Sequence, residues 1–342
     1  MNATLQCLSS TVPFVRIFQV AVNTINPMGS KGLIAQAFSS IIRDMWRSEY
    51  TYLSPTHFRT HICQRGVQFA GTNQHDAQEF LSFLLDGLHE DLNRVLARPE
   101  PRALTIEREA ELEHLPHQIA SAQEWTFYLS RNDSIVVDYF QGQFRNRLQC
   151  LTCRKTSITF NAFMYLSLPI PTRGEKASLS QCLDTFVGEE IMEKSNAWNC
   201  PHCKVLRKAS KQLSLSRLPP VLLIHLKRFS FNGPFTDKVE TQVDFPVRGL
   251  DLTRYMPQST TAVVSSMKSQ SKTDPRTQDP PFMYDLYGVI NHFGNLSSGH
   301  YTAHIASNGR WLYCDDSRIM EVPTANVVGR PAYILFYKRR TS

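Results

Sequence analysis

The sequence predicts an α+β fold, and three observations lead to that prediction. Helical patterns fill the first third of the chain, and short strand-like segments follow from about Asp138. Two Cys-x-x-Cys pairs interrupt the strand-rich part. Helices that precede a run of β-branched and aromatic segments, instead of alternating with them, indicate an antiparallel sheet with the helices segregated from it.

The helical part contains one strongly patterned segment. Residues 73–76 supply a capping residue and an acid at a helix start, where the helix dipole favours negative charge. Residues 98–124 are charged and contain prolines, so we expect an insertion or loosely packed helices there. Between these segments, large apolar residues recur at every fourth position and predict a helix packed on a core: Phe80, Leu84, Leu88, Leu92 and Leu96.

The strand-rich part consists of short segments of β-branched and aromatic residues separated by turn formers. Residues 256–281 are rich in Ser, Thr, Gln and Lys, which predicts a mobile loop between two of the strands. The predicted strands are 144–150, 157–163, 212–218, 221–231, 284–292, 300–306, 310–314 and 332–338.

The two Cys-x-x-Cys pairs predict a structural zinc site. Cys150 with Cys153, and Cys200 with Cys203, can each offer two thiolates from one tight turn. Four soft ligands suit tetrahedral zinc and leave no open position for catalysis. A thioredoxin-like redox pair would need a βαβ setting that neither pair has. His202, inside the second pair, could replace a cysteine, but we expect it to be a bystander.

A hairpin near the C-terminus brings a histidine and a carboxylate together. Asn308-Gly309 predicts its turn, because both central residues of a type I′ turn need positive φ. If Ser307 pairs with Arg310 across this turn, Thr302 lies opposite Asp315. A three-residue loop would shift this register by one.

The predicted register selects one histidine–aspartate pair. His300 shares a face with Thr302, so His300 and Asp315 are diagonal neighbours, while Asp316 points to the opposite face. A histidine held by a carboxylate is the base half of a nucleophilic triad. The alternative is a buried histidine with an ordinary hydrogen-bond partner, and His304, on the same face, would then be an equal candidate.

A series of segments, in this order, resembles the catalytic domain of the ubiquitin-specific protease (ubiquitin carboxyl-terminal hydrolase) family. The resemblance extends over essentially the whole chain, and the order of the segments is more specific than any single one. Besides the two cysteine pairs, the matching segments are residues 1–8, 74–80, 165–169, 223–229, 287–292, 298–301, 315–316 and 332–337.

The resemblance implies a papain-like cysteine protease hand with a helical thumb, an antiparallel β palm and zinc-clamped β fingers. It implies one catalytic domain over residues 1–342, truncated at its N-terminus. The implied parts are a thumb at 1–137 with the charged insertion near 98–124, fingers with the zinc knuckles at 138–230, and a palm at 231–342 with the His/Asp pair and the low-complexity loop 256–281.

The resemblance also implies a function and roles for named residues. The implied activity is that of a thiol-dependent deubiquitinase that hydrolyses isopeptide bonds after the C-terminal glycine of ubiquitin. His300 matches the base, Asp315 its orienting partner, and Asp316 an auxiliary residue. Asp76 and Glu79 match acidic thumb positions that meet the basic ubiquitin tail, although dipole stabilisation on a solvated helix face would also explain them.

One departure from the family pattern affects the expected activity. In the family, Gly-Asn-Thr-Cys-Tyr precedes the first helix and supplies the nucleophile, whereas here Met1 stands two positions after that cysteine. Cys7 lies two turns into the helix and is expected to be a core residue. Loss of a triad member can cost about 10⁶-fold in kcat. We therefore expect the sequence as given to be nearly inactive.

Three functions follow as alternatives. The first is a truncated form of an active deubiquitinase, and the second is a catalytically dead pseudoenzyme that binds ubiquitin. The third, a zinc-ribbon nucleic-acid binder, draws on the net charge of +7 but lacks a clustered basic stripe.

The expected partners are ubiquitin and ubiquitinated proteins, with no nucleic acid and no membrane insertion. The sequence shows neither a secretory signal nor a long apolar span. We expect a cytoplasmic protein of the ubiquitin-conjugation pathway, with endosomal and nuclear pools left open.

Overall fold

The computed structural model describes residues 1–20, 26–47, 49–71, 73–100, 105–171, 174–232, 235–257, 276, 278–295 and 298–340. In the described part of the chain, no helix is long and apolar enough to cross a membrane. The α-helices are α1 (Asn2–Ser9), α2 (Val12–Gln19), α3 (Leu33–Trp46), α4 (Thr56–Arg65), α5 (Ala77–Asp91), α6 (Ile106–His114), α7 (His117–Leu129), α8 (Ile135–Phe140) and α9 (Leu179–Val187).

The strands begin directly after α8. They are β1 (Gly142–Cys150), β2 (Thr156–Phe163), β3 (Tyr165–Pro169), β4 (Lys176–Ser178), β5 (Glu190–Met192), β6 (Trp198–Cys200), β7 (Val205–Arg207), β8 (Ala209–Arg217), β9 (Val221–Lys227), β10 (Phe229–Asn232), β11 (Phe235–Lys238), β12 (Gln242–Asp244), β13 (Leu250–Asp251), β14 (Met283–Gly294), β15 (Gly299–Ser307), β16 (Arg310–Asp315), β17 (Arg318–Val322) and β18 (Ala332–Arg339).

One long sheet organises the molecule. Its strands follow the order β17-β16-β15-β14-β18-β9-β3, with β13 paired to β14. All of these pairs are antiparallel except β3 with β9. The predicted α+β class with a largely antiparallel sheet is therefore confirmed.

The middle of the long sheet is buried on both faces. On one face Leu223 and Phe336 join a core formed with α1 to α5 and α8. On the other face Leu222 and Leu335 join a second core that contains α9. Burial on both faces explains why β9 and β18 read as continuous apolar runs instead of alternating ones.

A second sheet has the strand order β2-β1-β8-β5 and carries the first cysteine pair at the end of β1, whereas the second pair lies at the turn of the separate two-stranded sheet β6-β7. Helices α6 and α7, which cover much of the predicted charged insertion, pack on this sheet. The buried Arg108 side chain of α6 joins the two helices through Glu124 of α7 at 2.5 Å, and it also contacts Glu111 within α6 at 2.7 Å. Of the two predicted alternatives for residues 98–124, the described part forms packed helices.

Most predicted elements are found, with two corrections. All eight predicted strands are present, but the strand predicted at 221–231 divides at Arg228, whose guanidinium donates to the Ala332 carbonyl at 2.6 Å. Leu96 was predicted to continue the apolar stripe of α5, which is wrong: α5 ends at Asp91, and Leu96 is 61% exposed. The predicted mobile loop at 256–281 lies mostly outside the described residues.

Candidate active site

The hairpin of β15 and β16 has the predicted register. Ser307 pairs with Arg310, and both turn residues, Asn308 and Gly309, have positive φ. The structure places His300 Nε2 2.6 Å from a carboxylate oxygen of Asp315. Because Nε2 is engaged, Nδ1 is the ring nitrogen left for proton transfer.

His304, the alternative histidine, has a different environment. It is buried, and its Nδ1 lies 3.0 Å from the side-chain nitrogen of Asn291. Burial lowers the pKa of His304. The geometry therefore distinguishes an exposed histidine paired with a carboxylate from a buried histidine paired with an amide.

Asp316 does not face the side of the sheet that was predicted. Its φ is +50°, which ends the strand alternation directly after Asp315. As a result, a carboxylate oxygen of Asp316, one of Asp315 and a ring nitrogen of His300 all lie within 4.8 Å of one another. The prediction that Asp316 points to the opposite face is wrong, because it assumed that the extended backbone continued through the turn.

Helix α1 begins beside this group. The Asn2 side chain donates to the Asp316 carboxylate at 2.6 Å, and the Gln6 side chain donates to the Asp316 carbonyl at 2.9 Å. The start of the described chain and its late hairpin thus line one site, although more than 300 residues separate them in the sequence. This juxtaposition was expected from the resemblance and not from any local pattern.

The acidic residues at the start of α5 differ in their roles. Asp76 is the N-cap, and its carboxylate accepts from the backbone N–H of Gln78 at 2.6 Å and from the Tyr333 hydroxyl at 2.5 Å. Glu79, in the first turn, is exposed. Asp76 therefore connects α5 to β18, whereas Glu79 faces solvent.

A cavity of about 390 Å³ lies between the start of α5 and the long sheet. Gln74 and Gly299 line it, and the Gly299 N–H donates to the Gln74 side chain at 2.5 Å. Gly299 directly precedes His300 in β15, so the cavity lies beside the strand that carries the histidine, although neither His300 nor Asp315 lines it. Other lining residues include two histidines that sequence reasoning had not assigned to a site, His225 and His292. Both belong to segments that carry the resemblance, but their proximity depends on strand pairing.

The four cysteines outside the two pairs do not resemble activated thiols. Cys7, Cys182 and Cys314 are fully buried, and burial raises the pKa of each, to about 11 for Cys182 and Cys314. Cys63 donates to the Phe69 carbonyl at 3.2 Å. Reactive cysteines have lowered pKa values and electropositive surroundings. The expectation that Cys7 is a core residue is confirmed.

The two cysteine pairs converge on one cluster. The sulfurs of Cys150, Cys153, Cys200 and Cys203 all lie within 4.8 Å of one another, and the Cys153 and Cys200 sulfurs are 3.6 Å apart. Each pair forms the same turn, with the N–H of the second cysteine pointing at the first sulfur. Four sulfurs bound to one zinc at about 2.3 Å would be about 3.8 Å apart. The cluster therefore fits a tetrahedral metal.

The charges of this cluster also favour a cation. Backbone N–H groups, chiefly that of Cys153, lower the pKa of Cys150 to about 6. The neighbouring thiol groups, chiefly that of Cys153, raise the pKa of Cys203 to about 12. Four thiols this close cannot all ionise unless a cation compensates their charge.

Comparison with known proteins gives the family of the chain. The profile of the ubiquitin carboxyl-terminal hydrolase family matches residues 1–337. The chain is 37% identical over 354 aligned residues to ubiquitin carboxyl-terminal hydrolase 4 of Saccharomyces cerevisiae, and 36% identical over 346 to ubiquitin carboxyl-terminal hydrolase 2 of Rattus norvegicus. The alignments cover 99% of this chain but only 38% and 52% of those relatives.

Solved structures support the same assignment. The chain superimposes with a TM-score of 0.71 on the SAGA DUB module that contains Ubp8, bound to monoubiquitin, at 25% identity, covering 99% of this chain and 66% of that one. The same module bound to ubiquitin aldehyde gives 26% identity and a TM-score of 0.71, covering 99% of this chain and 67% of that one. By profile, sequence identity and fold, the chain belongs to the ubiquitin carboxyl-terminal hydrolase family.

Proposed function

We propose that this chain is the catalytic domain of a thiol-dependent deubiquitinase, which hydrolyses the isopeptide bond between the C-terminal glycine of ubiquitin and a lysine of a protein. The observation that carries the proposal is the contact of 2.6 Å between His300 Nε2 and Asp315, beside the start of α1, in a member of the ubiquitin carboxyl-terminal hydrolase family. Proteins similar to this chain were solved bound to monoubiquitin and ubiquitin aldehyde.

In this proposal His300 is the general base and acid. Its Nδ1 accepts the proton of a cysteine thiol as the sulfur attacks the carbonyl carbon, and it then returns the proton to the leaving lysine amine. In the second step it deprotonates the water that hydrolyses the thioester. Asp315 holds the ring orientation and stabilises the imidazolium, and Asp316 assists by fixing the start of α1 through Asn2.

The nucleophile in this proposal is not one of the eight cysteines of the sequence. Four form the metal cluster, three are buried as neutral thiols, and Cys63 is bonded to a carbonyl. Within the described residues, no cysteine forms a hydrogen bond with His300. The same observation favours the second candidate function, in which the chain binds ubiquitin without cleaving it.

Three further assignments belong to this proposal. Asp76 and Glu79 contact the basic tail of ubiquitin, because both carboxylates lie at the start of α5 and Asp76 lines the cavity between α5 and the long sheet. The cysteine cluster holds a structural zinc ion, which four thiolates at tetrahedral spacing favour. None of the eight cysteines forms a disulfide, which favours a reducing compartment such as the cytoplasm.

The test compares the chain as printed with the same chain extended by the residues encoded upstream of Met1 in its transcript. A fluorogenic ubiquitin C-terminal amide reports cleavage, and calorimetry reports ubiquitin binding. We expect the extended chain to cleave the reporter and His300→Ala to abolish turnover while binding persists. The exposed His57 serves as the control, and His57→Ala should leave both unchanged.

Three other outcomes would contradict parts of this proposal. Ubiquitin binding without turnover by the extended wild-type chain would establish the binding function instead of the hydrolase. Unchanged turnover in His300→Ala would remove His300 from the mechanism. Absence of ubiquitin binding by the extended chain would overturn both candidate functions.

A further inference from the structure

Two histidines on the surface of α4 lie apart from the site described above. His57 and His61 are four residues apart in this helix, so their side chains project from the same face. Their imidazole rings are in contact, with centroids 4.5 Å apart and an angle of 45° between the ring planes. Neither residue lines the cavity between α5 and the long sheet.

One hydrogen bond fixes which ring nitrogen of His61 carries the proton. Its Nδ1 lies 3.0 Å from the backbone carbonyl oxygen of His57. A carbonyl oxygen can only accept, so Nδ1 is the protonated nitrogen, and Nε2 of the neutral ring then holds a free lone pair. Histidines that bind metals commonly donate their second ring nitrogen to a carbonyl in this way, which fixes tautomer and orientation. His61 is therefore held in the form that a metal ligand requires.

The separation of the two rings suits coordination to a single ion. Two imidazoles bound at about 2.0–2.1 Å in cis positions, with an angle of about 90° at the metal, have ring centroids about 4.5 Å apart. The rings of His57 and His61 have this spacing. Cis positions at 90° belong to the square-planar and octahedral geometries of Cu²⁺ and Ni²⁺, and imidazole suits both metals. Two histidines at this helical spacing also form part of zinc sites.

The helix that carries the two histidines is fixed on a core. Phe58 and Ile62, which directly follow them in the sequence, are buried in the core that α4 shares with α3. His57 is exposed and His61 is partly exposed, so an ion can reach both from solvent. Because the helix face is rigid, binding requires no large rearrangement of the backbone.

The charge on the next turn of α4 limits the affinity. Arg65 lies one turn after His61 on the same face, and it is exposed. Its guanidinium repels a cation bound to the histidines, although solvent and salt screen this interaction. With two protein ligands and a nearby positive charge, such a site binds metal more weakly than the four-cysteine cluster.

We propose that His57 and His61 form a surface site for a divalent late transition metal, which binds Cu²⁺ more tightly than Ni²⁺ or Zn²⁺. Both imidazoles are ligands, and His61 binds through Nε2 while the His57 carbonyl holds its ring. The site is separate from the cysteine cluster, and it does not depend on the proposed hydrolase activity.

The experiment titrates the zinc-loaded chain with Ni²⁺ and follows binding by calorimetry, because Ni²⁺ does not oxidise thiols and zinc already fills the cysteine cluster. Loss of an outer partner of a metal ligand typically costs about 10- to 100-fold in affinity. Loss of a ligand itself, in His57→Gln or His61→Gln, should therefore weaken Ni²⁺ binding at least about 10-fold. Arg65→Gln should strengthen it, because a repelling charge is removed.

His114 provides the matched control. It is an exposed histidine at the end of α6, and that helix contains no second histidine. His114→Gln should leave the affinity for Ni²⁺ unchanged. Circular dichroism and melting temperatures verify that each variant folds.

Unchanged Ni²⁺ affinity in His57→Gln and His61→Gln, or an equal loss in His114→Gln, would overturn the inference. A loss in only one of the first two variants would overturn the shared coordination. Paramagnetic Cu²⁺ gives a second measurement on the wild-type chain, which requires no substitution. The ring signals of His57 and His61 in its NMR spectrum should broaden before that of His114, and equal broadening of all three would contradict the site.

Discussion

At the scale of single residues, backbone conformation decides which groups meet. The Asn308-Gly309 turn fixes the hairpin register and so brings His300 to Asp315, as local turn chemistry predicts. One residue later, the positive φ of Asp316 reverses the side on which its carboxylate lies. The strand rule fails at Asp316 because a period of two holds only while the backbone stays extended.

Gly299 offers a test at this scale. A Cβ atom there would lie 2.2 Å from Nε2 of His292, which packs against the start of β15. Gly299→Ala should displace the ring and cost about 1–3 kcal/mol of the free energy of unfolding, and it should weaken ubiquitin binding. Gly329→Ala is the control, because the nearest atom would be 3.4 Å away. Equal melting temperatures of the two variants would contradict the packing argument.

At the scale of elements, helix ends and strand ends are held by side chains from distant segments. Asp91, at the end of α5, is fully buried and accepts from the N–H and hydroxyl of Ser30 and from the N–H groups of Ile34 and Ala35. It thereby satisfies the first turn of α3, where a negative charge is favoured. The finger sheet, which consists of β2, β1, β8 and β5, is held instead by the cysteine cluster, to which Cys150 at the end of β1 belongs.

We expect Asp91→Asn to destabilise the protein by about 3 kcal/mol, because an amide presents its NH₂ group to buried donors that the carboxylate had satisfied. Urea unfolding followed by circular dichroism measures the change. Asp86→Asn is the matched control on α5: Asp86 is largely exposed, and partial desolvation, with a smaller effect of Glu90, raises the pKa of its carboxylate. That control should be neutral or slightly stabilising, and a comparable loss in both variants would refute the capping role of Asp91.

The cysteine cluster gives a second prediction for an element. The purified chain should contain about one zinc ion, and Cys200→Ser should lose the metal together with the folded finger sheet, since metal binding and local folding are coupled. Atomic absorption and thermal unfolding measure both. Cys63→Ser, which retains a hydroxyl near the Phe69 carbonyl, should keep metal and stability. Full metal content in Cys200→Ser would exclude the four-thiolate site.

At the scale of the whole molecule, neutral histidines are distributed over both sheets. His117 contacts the finger sheet through Ser216 at 2.9 Å, while His225 and His292 lie in the long sheet. Burial lowers the pKa of each to about 4, helped by Arg145 near His117. The folded state is therefore more stable when all three are uncharged.

This arrangement predicts an acid-sensitive stability. Between pH 6.5 and 4 the unfolded chain binds more protons than the folded chain, so the stability contributed by neutral histidines is complete above pH 6.5 and is lost as the pH falls towards 4. Each histidine contributes at most about 1.4 kcal/mol per pH unit, and less where solvent screens it. Urea unfolding at pH 7.5 and 5.0 measures how strongly the free energy of unfolding depends on pH. His117→Gln should reduce this pH dependence, and the control His57→Gln should not. An unchanged pH dependence in His117→Gln would contradict the assignment of the acid sensitivity to buried histidines.

The sequence by itself determined the α+β class, eight strands, the hairpin register and the identity of the four clustered cysteines. These features depend on local backbone preferences and on side-chain chemistry that short segments already carry. It also identified His300 with Asp315, because two strands joined by one turn leave little freedom of register.

Only the tertiary structure decided which distant groups share the site. Asn2 meets Asp316, Tyr333 meets Asp76, and the partnership of Ser167 with His225 depends on a parallel strand pair with a long connection. No local pattern encodes such contacts, because they arise when two hydrophobic cores close on opposite faces of one sheet and bring its ends against the helices. Burial then sets the charge state of the histidines and thiols, which the sequence alone leaves undetermined.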